Sequence, residues 1–176
     1  TMIGAVQKNV GSVNEDFSFT NDIITNRIIT VTKSGNNISD YNDLSGKKLA
    51  VVTDIAKAAL DKNSTIKNNN KNTLYPTIED ALAALDNGSV DAVITDEFNF
   101  SPLENAEKYQ VLNGELDKIS YAFMFKKGDW VVENWNEAIY ELKSPDYNDK
   151  DEFTPMVEKY FGYNASSFDY VPSKTK

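Results

Sequence analysis

Residues 78–98 read IEDALAALDNGSVDAVITDEF, and three signals in this run set the fold. Ile78, Ala81, Leu82 and Leu85 recur at helical spacing, so the run opens as an amphipathic helix. Thr77 precedes it, where its hydroxyl can accept a first-turn N–H, and Asp80 holds the capping-box position. Asn87-Gly88 ends it, because glycine takes the left-handed conformation of a helix stop at no steric cost. Residues 90–95, VDAVIT, then predict a short buried strand. Asp96 falls where that strand stops.

The same alternation continues upstream. KLAVV at 48–52 predicts a buried strand, DIAKAALDKN at 54–63 a helix capped by Thr53, and TLYP at 73–76 a second short strand. Strand, helix, strand, helix, strand with short connections is the pattern of an α/β fold with a parallel sheet covered by helices. Ligands of such sheets gather at the carboxyl ends of the strands. Thr53, Asp54 and Asp96 all fall at such ends and are the candidate binding residues. Phe98 joins them because an aromatic face beside a carboxylate suits a ligand cation; Phe98 and Phe100 also have a plain packing reading. The Asn- and Lys-rich run KNSTIKNNNKN within residues 61–72 reads as a solvated surface loop.

Farther out, MIGAV and RIITVTK within residues 1–33 are β-branched runs that predict strands. SGNNISDYNDLSGKK, from Ser34, has turn chemistry and reads as a boundary between lobes. After Pro102 come YQVLNGEL, an apolar strand YAFMFKKG, and a helix over about 129–142 with Val131, Trp135, Ala138, Ile139 and Leu142 at helical spacing. A last short helix carries Met156, Val157, Tyr160 and Phe161, before a polar, aromatic tail from Tyr163. Tyr121, Trp130 and Trp135 read as packing residues.

Composition removes several functions. A net charge of −9 argues against nucleic-acid binding, which wants a basic face. It has no histidine and no cysteine, so zinc and iron–sulfur sites, cysteine nucleophiles and a Ser-His-Asp triad are effectively excluded, and no cofactor or metal is expected. No window approaches the ~20 apolar residues of a membrane span.

Five stretches in collinear order resemble the type 2 solute-binding proteins, in particular the family that serves polar amino acid uptake systems and related sensor domains. EDFSFTNDI resembles the family's Asp-Phe-Ser segment; DLSGKKLAVV resembles its entry into the second lobe; IEDALAALDNGSVDAVITD resembles its helix, Gly turn and DAV strand. YAFMFKKGD matches its return strand, and MVEKYFG its terminal element with Tyr160 in place of Trp. The resemblance covers roughly residues 1–162. It implies a type 2 periplasmic-binding-protein-like fold of two lobes, each a central sheet flanked by helices. Residues 1–34 and 121–176 would form lobe one, and residues 35–120 lobe two with the linker. It also implies that lobe one is incomplete, with further family residues belonging ahead of Thr1 and apolar faces left for another segment or chain to cover.

The resemblance gives Asp96 a role as partner of a ligand ammonium group. It also shows two departures. The family grips the α-carboxylate with an Arg shortly before Asp-Phe-Ser, where this chain has Gly11 or Ser12, and Arg27 falls in the next strand. The family's Gly/Thr-rich turn after the first strand of lobe two is here TDIAKA, with Asp54 where an anion would sit.

The expectation is therefore a non-enzymatic, extracellular or periplasmic solute-binding module of amino-acid-type ABC transport, membrane-tethered in some settings. It would take an amino acid or another small polar or cationic ligand, with a membrane permease or a membrane receptor as its partner. Two alternatives stand beside it: the extracellular input domain of a membrane signalling protein, and an interaction module that self-associates through the incomplete lobe without binding solute.

Overall fold

The structure is a computed structural model that describes residues 3–8, 15–143 and 153–161. Gly11, Ser12 and the tail from Tyr163 lie outside the described residues. The chain divides into two compact units, residues 1–25 with 119–176, and residues 26–118. The first division falls inside a strand, Ile24–Lys33, earlier than the turn-rich stretch from Ser34.

The unit of residues 26–118 holds the run from which the fold was read. Its strands are β3 (Ile24–Lys33), β4 (Lys48–Val51), β5 (Lys71–Leu74), β6 (Ala92–Asp96) and β7 (Tyr109–Val111). Its helices are α1 (Asp54–Lys62), α2 (Ser64–Asn69), α3 (Ile78–Asp86) and α4 (Glu97–Phe100). Strand order runs β3, β6, β4, β5, with β4 parallel to both β5 and β6 and with β3 antiparallel to β6. Strand β7 lies antiparallel to β3. The parallel α/β motif expected from residues 48–96 is therefore present, and an antiparallel strand from upstream extends it.

The threonine caps and the glycine stop act as read. Thr77 Oγ1 accepts from the N–H of Asp80 at 3.1 Å, and Thr53 Oγ1 from that of Ala56 at 3.2 Å. Gly88, at φ +78°, closes α3 with its N–H on the carbonyl of Leu85. The α3 stripe is buried against the sheet, where Ile78, Ala81, Leu82 and Leu85 join Ile29, Val31, Ala50 and Val93 in one core.

One reading changes. The Asn-rich run is not a loop throughout: it contains α2 and leads into β5. Its asparagines cap backbone groups rather than only facing water. Asn63 accepts from the N–H of Ile66, and Asn70 donates to the carbonyl of Ile66 while accepting from the N–H of Lys47. Ile66 is buried and anchors the turn. The composition still leaves its mark, because all of β5 is exposed.

Asp61 ties α1 to α2, receiving Lys57 at 2.7 Å and Lys67 at 2.8 Å. Hydrogen bonds from Lys57 and then Lys67 hold its carboxyl down, from an ordinary 3.8 to about 2. A depressed carboxyl stabilises the folded state above its unfolded value and loses that contribution as pH falls through the folded one. Asp61 is accordingly expected to titrate near pH 2 in a carboxyl-detected NMR series, and to move back toward 3.8 in the Lys57→Ala/Lys67→Ala double variant. An unchanged midpoint in that variant would remove the ion pairs as the cause.

In the other unit, β1 (Ile3–Gln7) and β2 (Phe17–Phe19) both pair antiparallel with β8 (Asp117–Lys126), accompanied by α5 (Val131–Lys143) and α6 (Phe153–Phe161). Among the described residues, its buried apolar side chains are Ile119, Ala122, Phe125, Val132, Ile139, Phe153 and Val157. Trp135 meets the Phe123 ring edge-on at 4.8 Å, as expected of a packing residue. Trp130 does not pack: it precedes α5, off the helix's buried stripe, and is 76% exposed. That stripe runs through Val132, Ile139 and Lys143, which leaves Ala138 exposed. On α6 the buried positions are Phe153 and Val157, and Met156 and Tyr160 face outward.

Candidate functional site

The chain runs from β4 outward to β5 and then crosses β4 to reach β6 on its other side. The two crossovers depart in opposite directions, so the carboxyl ends of β4 and β6 flank a topological switch point, where open α/β sheets bind ligands. Thr53 and Asp54 follow β4, and Asp96 ends β6. Backbone pairing of these strands continues beyond β4 itself, with Val52 N–H on the carbonyl of Ile94 at 3.1 Å.

Asp96 is 2% exposed and is the N-cap of α4. One carboxylate oxygen, Oδ1, accepts from the backbone N–H of Asn99 at 3.2 Å and from Asn26 Nδ2 at 3.1 Å. The other, Oδ2, accepts from Asn99 Nδ2 at 2.7 Å. Neutral donors thus solvate a buried charge, as a carboxylate removed from water requires. A carboxylate has about four acceptor positions, so these three bonds leave capacity for one more donor.

Asn26 sits on β3, where register places Ile28 opposite Asp96. Its side-chain oxygen accepts the N–H of Phe98 at 3.2 Å, which fixes the first turn of α4 from the neighbouring strand. Beside it, Arg27 makes a two-pronged contact with Glu97, through Nε to Oε2 at 3.0 Å and Nη2 to Oε1 at 2.6 Å. Both side chains are largely buried, at 13% and 5% exposure. Phe98 is half-buried. Phe100 belongs to the core, with Tyr109 edge-on at 6.2 Å.

Thr53 and Asp54 line a groove of about 320 Å³ with Val51, Val52, Leu74, Tyr75 and Pro76, at the carboxyl ends of β4 and β5. Asp96 and Phe98 are not among its lining residues. The four sequence candidates therefore fall into two places: Thr53 and Asp54 in the groove, Asp96 and Phe98 at the end of β6.

Sequence reading missed Asn26, Asn99 and the pairing of Arg27 with Glu97. Asparagine is depleted in strands, so Asn26 within ITNRIITV was a usable signal. Asn99, three residues after a cap, was another. The Arg27–Glu97 pairing had no local signal.

No protein-family model and no curated protein sequence matches the chain. Solved structures do. The second substrate-binding domain of a putative amino acid ABC transporter from Streptococcus pneumoniae aligns at TM-score 0.66 and 25% identity, over 86% of this chain and 68% of that one. A polar amino acid ABC uptake transporter substrate-binding protein from Streptococcus thermophilus aligns at TM-score 0.70 and 22% identity, over 89% of this chain and 61% of that one. The L-cystine solute receptor of Neisseria gonorrhoeae, in an unliganded open conformation, aligns at TM-score 0.71 and 16% identity, over 90% of this chain and 65% of that one. This chain thus spans roughly two thirds of the length of the proteins it matches. These neighbours are substrate-binding proteins and a solute receptor, and the chain has the type 2 periplasmic-binding-protein fold of the substrate-binding proteins of amino acid ABC transporters, as its five collinear motifs led one to expect.

Proposed function

We propose that the chain is an extracytoplasmic solute-binding module of amino-acid-type ABC uptake, which takes a small polar or cationic ligand and delivers it to a membrane permease. The observation that carries this reading is Asp96: a buried carboxylate at the sheet's switch point, held by three neutral hydrogen bonds with acceptor capacity to spare. A fixed, pre-solvated anion of this kind suits a ligand ammonium group, since desolvating the cation is offset by a charge-assisted bond. Phe98, half-buried beside Asp96, joins the proposed lining, whereas Thr53 and Asp54 line the separate groove at the ends of β4 and β5. No helix among the described residues is long and apolar enough to cross a membrane, in keeping with a module outside it.

Asp96 has a structural duty as a cap, so its replacement must separate that duty from charge. Asn is as good an N-cap as Asp, and Asp96→Asn keeps the fold while removing the anion. In a thermal-shift and calorimetric panel of amino acids and amines, at least one solute is expected to raise the Tm by mass action. Asp96→Asn is expected to weaken it by about tenfold or more, the loss of one charge-assisted bond, 1.4 kcal/mol being a factor of ten. A panel that leaves the Tm unmoved, or affinity unchanged in Asp96→Asn, would overturn the assignment.

A further inference from the structure

The groove beside β5 is distinct in its chemistry from the end of β6. Its lining holds one charged residue, Asp54, and no lysine or arginine among the described residues. Asp54 is the first residue of α1, the position from which a helix offers N–H groups and positive dipole to an anion. Here that offer is withdrawn. The N–H of Ala56 is already bonded to Thr53 Oγ1, and the Asp54 carboxylate brings negative charge to the same turn. The nearest cation along the helix, Lys57, is held by Asp61 at 2.7 Å.

The opposite wall is apolar. Leu74 is 63% exposed although it ends a sheet strand, and Tyr75 and Pro76 follow it along the rim. Tyr75 is half-buried and packed against the core, so its ring is a fixed surface rather than a swinging one. One carboxylate facing an aromatic and aliphatic wall selects a cation with an apolar body. A volume of about 320 Å³ accommodates a small organic molecule and is at the lower end of ligand-site sizes.

Resting on the solute-binding reading above, we propose that this groove takes an organic ammonium or guanidinium ion that lacks a carboxylate, with Asp54 as counterion and Leu74, Tyr75 and Pro76 as its apolar seat. A zwitterionic amino acid is disfavoured there because its carboxylate meets Asp54 with no lysine or arginine among the described lining residues to receive it. The ligand class of the groove is thus a decarboxylated amine rather than an amino acid.

Agmatine and arginine share a guanidinium and a carbon chain and differ in the carboxylate, which makes them the matched probes. Backbone amide shifts are followed by NMR in titrations of the chain, of Asp54→Asn and of Asp96→Asn. Agmatine is expected to move the amides of Thr53, Asp54, Leu74 and Tyr75, and to bind at least about fivefold more tightly than arginine, the effect of one unfavourable charge pair at close range. Asp54→Asn is expected to abolish that preference. Equal or tighter binding of arginine at the groove, agmatine shifts confined elsewhere, or a preference that survives Asp54→Asn would each overturn the proposal. Arginine binding that depends on Asp96 and leaves the groove unmoved would overturn it while sustaining the solute-binding reading. Silence from both probes at millimolar concentration would overturn this proposal, whereas the broader panel decides the solute-binding reading.

Discussion

Replacing Arg27 by methionine is expected to cost about 3–5 kcal/mol of stability, the range for removing one partner of a buried ion pair. The reason is what stays behind. Glu97 is 5% exposed and receives both prongs of the guanidinium, at 3.0 and 2.6 Å. Without Arg27 its charge is buried and uncompensated, at the first residue of α4. Replacing both partners by apolar residues of similar volume removes the stranded charge as well, and the Arg27→Met/Glu97→Met double variant is expected to regain most of the loss. Urea midpoints of the wild type, the single variant and the double variant read this directly. A single variant that loses less than about 1 kcal/mol would mean the pair acts like an exposed one.

Leu85→Ala is expected to destabilise by about 2–5 kcal/mol, through lost transfer energy and the cavity left under α3. Leu85 is 2% exposed and shares its core with Ala81, Ala50 and Val93, whose small size gives the surroundings little with which to fill the space. Leu74 supplies the contrast on the same sheet. At 63% exposure its truncation to alanine leaves no cavity and is expected to stay within about 0.5 kcal/mol. Comparable losses in the two variants would contradict the placement of β5 at the exposed edge.

Legibility followed the range of the interaction. Thr77, Gly88 and Thr53 act on backbone groups within one turn, and their signals were correct because caps are decided by residues three or four apart. The Asn-rich run misled because its composition is polar while its asparagines serve as caps around one buried isoleucine. Trp130 misled in the other direction. An aromatic or apolar side chain next to a helical stripe is not thereby on it.

The proposed site divides the same way. That a carboxylate stands at the end of β6 was evident from VDAVITD alone, since strand length and the following turn are local properties. What holds that carboxylate was not. Asn26 and Asp96 are 70 positions apart in sequence, as are Arg27 and Glu97, and both pairs exist because β3 lies antiparallel against β6.

By itself the sequence determined helices α1 and α3, their threonine caps, the βαβ alternation of residues 48–96 and the delivery of Thr53, Asp54 and Asp96 to strand ends, all of which follow from periodicity and near-neighbour hydrogen bonds. Only the tertiary structure decided that β4 runs between β5 and β6, that β3 adds an antiparallel neighbour, and that the candidate residues separate into a groove beside β5 and a capped carboxylate on β6. Strand neighbours are chosen by packing and by which backbone edges meet, and those choices join residues that no local window contains.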